Sequence, residues 1–201
     1  MNIKQRPALL NTLIAFICAA SLWLTYQWFE GRYVRAFSNQ TALFTGDALH
    51  LPPELAGPGP IRLVHFWDPA CPCNVGNQQH LAELIERFGS DGTPEQPGVA
   101  FYSVKKPGTQ GQLPSTLSQM KPLNMLPGDK HITSSPAVAI WDRQGQLAYF
   151  GPYSEGLTCN SSNSFIEPIL LALNDNRAAS ATHNMAVGCY CPWSGENSSG
   201  Q

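Results

Sequence analysis

The first long apolar stretch of the chain runs from Ala8 to Phe29, and its 22 positions contain no formally charged residue. At about 1.5 Å per residue, a helix of this length measures roughly 33 Å, enough to cross the hydrocarbon core of a bilayer. Lys4 and Arg6 precede the stretch, and basic flanks favour the cytoplasmic side. We therefore predict a cytoplasmic N-terminus (1–7), a transmembrane anchor (8–29) and an extracytoplasmic remainder. A cleaved signal peptide is the alternative.

After residue 60 the apolar positions fall into short segments separated by turn-forming residues. Short apolar runs of this kind are typical of buried strands. Apolar positions at helical spacing follow the first of these segments, a proline-initiated helix is expected between the second and third, and a capping-box pattern introduces a last helix. The predicted strands are Ile61–Trp67, Val99–Val104, Ala137–Trp141 and Gln146–Phe150, and the predicted helices cover 75–88, 114–121 and 164–173.

The order of these elements predicts an α/β domain at 61–174. Two β-α-β steps, a hairpin with a turn at Asp142 to Gly145, and a closing helix describe a central mixed sheet flanked by helices. Residues 30–60 are expected to form a linker and N-terminal extension. Residues 175–201 are expected to form a polar, cysteine-containing tail.

The charge balance excludes one class of function and supports a folded domain. Twelve Lys and Arg residues against fourteen Asp and Glu residues give a net charge of −2, without the basic excess of a nucleic-acid-binding protein. Hydrophobic residues make up 43% of the chain, which is enough to bury a core.

The candidate chemistry lies where the first predicted strand ends. The segment Val64-His65-Phe66-Trp67-Asp68-Pro69-Ala70-Cys71-Pro72-Cys73 resembles the thioredoxin active site, in which a buried strand ending in Phe-Trp leads to a cysteine pair at a helix start. Ser135-Pro136-Ala137-Val138 resembles the cis-proline segment of the same family. The likeness is to membrane-tethered, extracytoplasmic thioredoxin-like proteins, and it implies four to five strands and thiol–disulfide exchange without a cofactor.

Two departures from the family pattern change the expected chemistry. The cysteines are separated by Pro72 alone rather than by two residues, so we expect a strained, easily reduced bond between Cys71 and Cys73. His65 stands in place of the buried acid of the family. It is interpreted either as a proton acceptor for Cys73 or as a hydrogen-bonded core histidine.

The resemblance assigns roles to three residues of the site. Cys71, exposed just ahead of the helix, is expected to be the attacking thiolate, because a helix N-terminus stabilises negative charge. Cys73 is expected to resolve the mixed disulfide. Pro136, if cis, would leave the preceding backbone free to pair with a substrate peptide.

Metal binding is the main alternative interpretation of the cysteine pair. Two thiolates and a histidine can hold a soft ion such as Cu(I) or Zn²⁺, and His131 or His183 are the candidate third ligands. A structural bridge and a redox-inert interaction domain are the remaining alternatives.

Three further cysteines follow the predicted fourth strand. Cys159 should lie at the same end of the sheet as Cys71, and Cys189 and Cys191 lie on a tail long enough to fold back. We expect a disulfide from Cys159 to Cys189 or Cys191. In the alternative, Cys189 and Cys191 form a second redox pair that exchanges with Cys71 and Cys73.

Taken together, the residues predict a membrane-tethered thiol–disulfide oxidoreductase or isomerase that acts outside the cytoplasm. Its expected partners are a protein or small-molecule thiol or disulfide and a redox partner protein. No nucleic acid is expected.

Overall fold

The computed structural model describes residues 5–38, 48–89, 98–179 and 185–193. The chain divides into two compact units, Met1–Val34 and Arg35–Gln201. The first unit is essentially one helix, α1 (Gln5–Tyr33). Its segment Leu9–Tyr33 is long and apolar enough to cross a membrane, a property that signal sequences share. The predicted anchor at 8–29 therefore lies wholly within one helix.

In the described residues after α1, the elements are short strands, two α-helices and three 3-10 turns. The helices are α2 (Asn74–Phe88) and α3 (Ile166–Asn174). The strands are β1 (Val34–Ala36), β2 (Ile61–Trp67), β3 (Val99–Lys105), β4 (Lys121–Leu123), β5 (Ser134–Ser135), β6 (Ala137–Trp141), β7 (Leu147–Gly151), β8 (Val187–Cys189) and β9 (Cys191–Pro192).

Five of the strands form a mixed sheet in the order β4-β3-β2-β6-β7. Strands β2 and β3 are parallel, with Trp67 opposite Lys105, and β4 continues parallel to β3. Strand β6 runs antiparallel to both β2 and β7. This is the thioredoxin-like α/β fold that the sequence predicts, and it brings the end of β2 next to the start of β6.

The two faces of the sheet are covered in different ways. One face packs on the apolar sides of α2 and α3, with Leu81, Leu84 and Leu170 almost fully buried. The other face is covered by extended segments of the N-terminal extension, by the region before β5, and by the tail. Tyr190 and Trp193 of the tail belong to this second core. The tail segment at 185–193 is therefore part of the folded domain.

The predicted helix at 114–121 is wrong. Only a single 3-10 turn forms at Ser115–Leu117, and Lys121–Leu123 joins the sheet as β4. The prolines at 114 and 122 leave too few residues between them to repay the cost of nucleating an α-helix. Backbone pairing with β3 supplies hydrogen bonds instead.

Two local sequence signals are confirmed. In the hairpin between β6 and β7, the side chain of Asp142 accepts hydrogen bonds from the backbone of Gln144 and Gln146, and Gly145 adopts a positive φ of 80°. At the start of α3, Ser164 Oγ accepts the backbone N–H of Glu167, as in a capping box.

Candidate active site

The loop before α2 carries the first two cysteines and is held by Asp68. The Asp68 carboxylate accepts the backbone N–H of Ala70 at 2.9 Å, and its carbonyl accepts hydrogen bonds from Cys71 N and Asn74 Nδ2. Helix α2 then begins directly after Cys73. The loop therefore presents Cys71 and Cys73 at the positive end of the helix dipole, as predicted.

Each of these cysteines is bonded to a cysteine of the tail. Cys71 is bonded to Cys191, and Cys73 is bonded to Cys189, with Cα–Cα distances of 5.9 and 5.4 Å. The Cys71–Cys73 bond expected from the sequence is therefore not formed in this state. The Cys-Pro-Cys loop and the Cys-Tyr-Cys tail run in opposite directions, so the first cysteine of the loop is bonded to the second cysteine of the tail. In each segment one residue separates the two bridges.

The tail lies along the segment that precedes the cis-proline. The Ser135–Pro136 peptide bond is cis, as the resemblance implied. Strand β9 pairs antiparallel with β5, with Cys191 opposite Ser135, and Trp193 N donates to Thr133 O at 3.0 Å. Cys71 Sγ lies 3.8 Å from the Ser135 carbonyl oxygen. The backbone that was expected to pair with a substrate peptide thus pairs with the protein's own tail.

Two aromatic side chains hold the tail independently of its sulfurs. Tyr190 donates its hydroxyl to Ser154 O at 3.0 Å and packs edge-on against Phe37. Trp193 is 5% exposed and packs edge-on against Phe66, with 5.8 Å between ring centroids. Trp193 is therefore a packing anchor for the tail.

A lysine links the cysteine loop to the tail. Lys106 Nζ lies 3.0 Å from the Asp68 carboxylate and donates a hydrogen bond of 2.8 Å to the Pro192 carbonyl. Sequence reasoning missed this residue. Lys106 directly follows β3, and the end of β3 lies beside the end of β2. Because parallel strands bring their carboxyl ends to the same edge of a sheet, the position of Lys106 after β3 could have identified it.

The sulfur atoms are buried, contrary to the exposure expected for Cys71. All four bonded cysteines are at most 6% exposed, because the tail covers the loop. An open cleft of about 450 Å³ nevertheless reaches Cys71 from the side of α2. Of the four bonded cysteines, Cys71 alone lines it. The rest of the lining is uncharged and includes Trp67, Pro72, Val75, Gln78, Gln110 and Gln112.

His65 is fully buried in β2, and its partner is a tyrosine. Its Nδ1 atom lies 2.8 Å from the hydroxyl oxygen of Tyr153. Burial lowers the pKa of His65 from 6.5 to about 3, so the ring is neutral at ordinary pH. This geometry is that of a hydrogen-bonded core histidine. The proton-accepting role stays a prediction.

The expected disulfide from Cys159 is wrong. Cys159 is a buried free thiol, and burial raises its pKa to about 11. It does lie beside the first turn of α2, since a Cβ placed on Gly76 would be 3.6 Å from Cys159 N. The tail pairs with the Cys-Pro-Cys loop instead, because β9 and Tyr190 guide it to that edge.

For the metal-binding alternative, the structure brings the proposed cysteine ligands together but places neither candidate histidine beside them in the described part of the chain. The sulfur atoms of Cys71, Cys73 and Cys191 all lie within 4.8 Å of one another. Within the described part of the chain, no histidine belongs to this cluster. His131 lies in a separate 3-10 turn, and His183 lies outside the described residues.

The chain belongs to the family described as "Domain of unknown function (DUF6436)", whose model matches residues 40–193. The matched range includes both the Cys-Pro-Cys loop and the tail as far as Trp193. Among curated proteins, none matches the sequence.

Several solved structures are similar in fold at low sequence identity. An uncharacterized conserved protein from Geobacillus kaustophilus is 16% identical with a TM-score of 0.50, over 83% of this chain and 97% of that chain. A hypothetical protein from Sinorhizobium meliloti 1021 is 15% identical with a TM-score of 0.48, over 67% and 79%. A secreted Mycobacterium tuberculosis disulfide oxidoreductase homologous to E. coli DsbE is 17% identical with a TM-score of 0.39, over 58% and 84%.

Proposed function

We propose that this DUF6436 protein carries out thiol–disulfide exchange on proteins or small thiols outside the cytoplasm, with Cys71 as the sulfur that exchanges with the substrate. The observation that carries the proposal is the cluster of three sulfurs, from Cys71, Cys73 and Cys191, within 4.8 Å at the start of α2. Sulfurs at this spacing can exchange bonds after small displacements, and the helix dipole favours the thiolate form.

The cleft beside Cys71 supports the choice of that sulfur. An incoming substrate thiolate attacks Cys71 Sγ, the Cys71–Cys191 bond breaks, and Cys191 leaves as a thiolate. A second substrate thiol then attacks the mixed disulfide and releases Cys71, so that one substrate dithiol is oxidised. In the reverse direction, Cys71 attacks a substrate disulfide, and Cys73 or Cys191 resolves it.

Two features of the chain support an extracytoplasmic location. Disulfides persist in oxidising compartments, and two of them join the tail to the active-site loop. Helix α1 would tether the domain to the membrane surface. A redox partner protein would then restore the oxidised or reduced state after each turnover.

Trapping of a mixed disulfide tests the proposal. The chain, purified in detergent, is mixed with a peptide disulfide, and exchange is followed by mass spectrometry after acid quenching. The double variant Cys73→Ser/Cys191→Ser should accumulate a peptide adduct at Cys71, because both resolving thiols are absent. Cys159→Ala should exchange like the wild type. Exchange by Cys71→Ser at the wild-type rate would refute the proposal.

A second candidate function is favoured by the same sulfur cluster. When the disulfides are reduced, Cys71, Cys73 and Cys191 could ligate a soft ion such as Cu(I) or Zn²⁺. The fully reduced chain should then bind one ion under anaerobic conditions, and Cys71→Ser should lose it while Cys159→Ala retains it. Equal binding by both variants would exclude this site.

A further inference from the structure

We propose that Cys189 and Cys191 form a resident second redox pair, which delivers its oxidising equivalents to the substrate through Cys71 and Cys73. This inference rests on the proposed exchange activity and identifies the internal partner of the same site. Four of the cysteines are joined in two bridges between the loop and the tail, so the oxidised domain holds two disulfides at one site.

The tail is docked by contacts that do not depend on its sulfurs. Strand β9 pairs with β5, Trp193 N donates to Thr133 O, and the Tyr190 hydroxyl donates to Ser154 O. Lys106 also donates a hydrogen bond to the Pro192 carbonyl. Reduction of one bridge therefore leaves the tail sulfurs in place, at a high effective concentration relative to the loop sulfurs.

The two bridges differ in whether a cleft leads to them. Cys71 is 4% exposed and Cys73 and Cys189 are each 6% exposed, so all three are nearly buried, but the open cleft of about 450 Å³ is lined by Cys71 and not by Cys73 or Cys189. The cleft thus gives a polypeptide thiol a route to the Cys71–Cys191 bridge. The oxidising equivalent of the Cys73–Cys189 bridge has to be transferred to Cys71 by internal exchange before a substrate of that size can use it.

The first turnover consumes the accessible bridge. A substrate thiolate bonds to Cys71 Sγ and displaces Cys191 as a thiolate. The second substrate thiolate then bonds to the first substrate sulfur and displaces Cys71 as a thiolate. One substrate dithiol has lost two electrons and two protons, and the Cys71–Cys191 bridge has become two thiols.

An internal thiol–disulfide exchange then converts the second bridge into a disulfide that includes Cys71, which the substrate can reach. The Cys71 thiolate attacks Cys73 Sγ, the Cys71–Cys73 bond forms, the Cys73–Cys189 bond breaks, and Cys189 leaves as a thiolate. The number of disulfides is unchanged in this step. It requires only that Cys71 and Cys73 approach, and their sulfurs already lie within 4.8 Å of each other.

The second turnover uses the transferred bond. A second substrate dithiol attacks Cys71 and displaces Cys73, and its other thiol releases Cys71. Two substrate dithiols have then been oxidised, and the four cysteines of the loop and tail are thiols. A tail that served only as a structural strap would leave the Cys73–Cys189 bridge intact and give a single turnover.

A count of oxidising equivalents tests the inference. The fully oxidised, full-length chain in detergent is mixed anaerobically with a large excess of a synthetic peptide that contains two cysteines. Peptide disulfide formed per chain is measured by mass spectrometry. We expect two equivalents from the wild type and from Cys159→Ala, one from Cys73→Ser/Cys189→Ser, and one from Cys189→Ser/Cys191→Ser.

The intermediate provides a direct second measurement. Acid quenching and alkylation after one equivalent should show a Cys71–Cys73 disulfide in the wild type by mapping of non-reduced peptides. One equivalent from the wild type, with the Cys73–Cys189 bridge still present, would overturn the relay while leaving the proposed exchange intact.

Two other outcomes are distinguishable from that one. If the wild type forms no peptide disulfide above the uncatalysed background, the proposed exchange activity itself fails. If Cys71→Ser still delivers an equivalent at the wild-type rate, equivalents reach the substrate without Cys71, and the proposed route is overturned.

Discussion

Ser135 and Cys191 lie opposite each other in an antiparallel strand pair, so the residue before the cis-proline holds the backbone of the cysteine that is bonded to Cys71. The same short edge therefore positions both partners of a disulfide. In the proposed mechanism, this edge keeps the tail beside the loop through each change of bonding.

Lys106 should control how readily the tail bridges are reduced. Replacing it by Met in Lys106→Met removes an ion pair with Asp68 and a hydrogen bond to the Pro192 carbonyl. Because hydrogen bonds from charged groups contribute about 1.5–3 kcal/mol, we expect glutathione to reduce the Cys71–Cys191 bridge roughly tenfold faster. Timed alkylation and mass spectrometry measure the rate.

Lys105→Met is the matched control for this change. Lys105 is exposed and donates a long hydrogen bond of 3.4 Å to the Gly111 carbonyl, away from the tail. Its replacement should leave the reduction rate within about twofold of the wild type, as for most surface substitutions. Equal acceleration in both variants would show that loss of charge, rather than loss of the contact, is responsible.

Gly188 should be required for the tail to dock in register. A Cβ at this position would lie 2.6 Å from Gly156 O and 2.8 Å from the hydroxyl oxygen of Tyr190. We therefore expect Gly188→Ala to displace β8 and to lower the yield of the Cys73–Cys189 bridge after refolding in a glutathione buffer. Val187→Ala, at a neighbouring half-exposed position, should pair its cysteines normally. Normal pairing in Gly188→Ala would contradict the docking geometry.

The buried His65 should make the domain less stable in acid. The unfolded chain binds a proton near pH 6.5, whereas the folded ring, with a pKa of about 3, does not. Between these pKa values, the unfolded state therefore binds more protons than the folded state. The stability of the fold that depends on the neutral ring is fully present above about pH 6.5 and is lost as the pH falls. We expect the free energy of unfolding to decrease by about 1 kcal/mol per pH unit from about pH 6 to 4.

Urea denaturation at several pH values measures this slope. In His65→Asn the contribution of this ring is absent, so the slope should be smaller. The exposed His50 provides the control, and His50→Asn should retain the wild-type slope. An unchanged slope in His65→Asn would mean that other groups cause the acid sensitivity.

Cys159 should react only very slowly with alkylating reagents in the folded chain. Burial raises its pKa to about 11, so its reactive thiolate is scarce near pH 8. We expect iodoacetamide at this pH to leave Cys159 unmodified in the native chain and to label it fully in urea. Labelling in the native chain at the rate of a model thiol would contradict its burial.

Helix α1 should retain the protein in the membrane. Its segment Leu9–Tyr33 meets the length and apolarity needed for a span. We expect the full chain to stay in the membrane pellet after carbonate extraction, and a chain starting at residue 34 to be released. An N-terminal sequence beginning after the helix in the mature protein would instead identify a cleaved signal peptide.

The sequence by itself determined the long apolar helix α1, the four main strands, and the placement of Cys71 and Cys73 before α2. These features depend on local patterns, because an apolar run, a period of two or of 3.6 residues and a capping box act within one segment. The resemblance of Ser135-Pro136-Ala137-Val138 to the cis-proline segment of the family also implied the cis bond before Pro136, which the structure contains.

Only the tertiary structure decided which cysteines are bonded and what covers them. Cys159 lies at the predicted end of the sheet, yet Cys189 and Cys191 are bonded to Cys73 and Cys71. The pairing of β9 with β5 and the burial of the aromatic tail residues guide this choice, and they join segments that are far apart in the chain. Disulfide partners are selected by such long-range packing, which residue spacing does not encode.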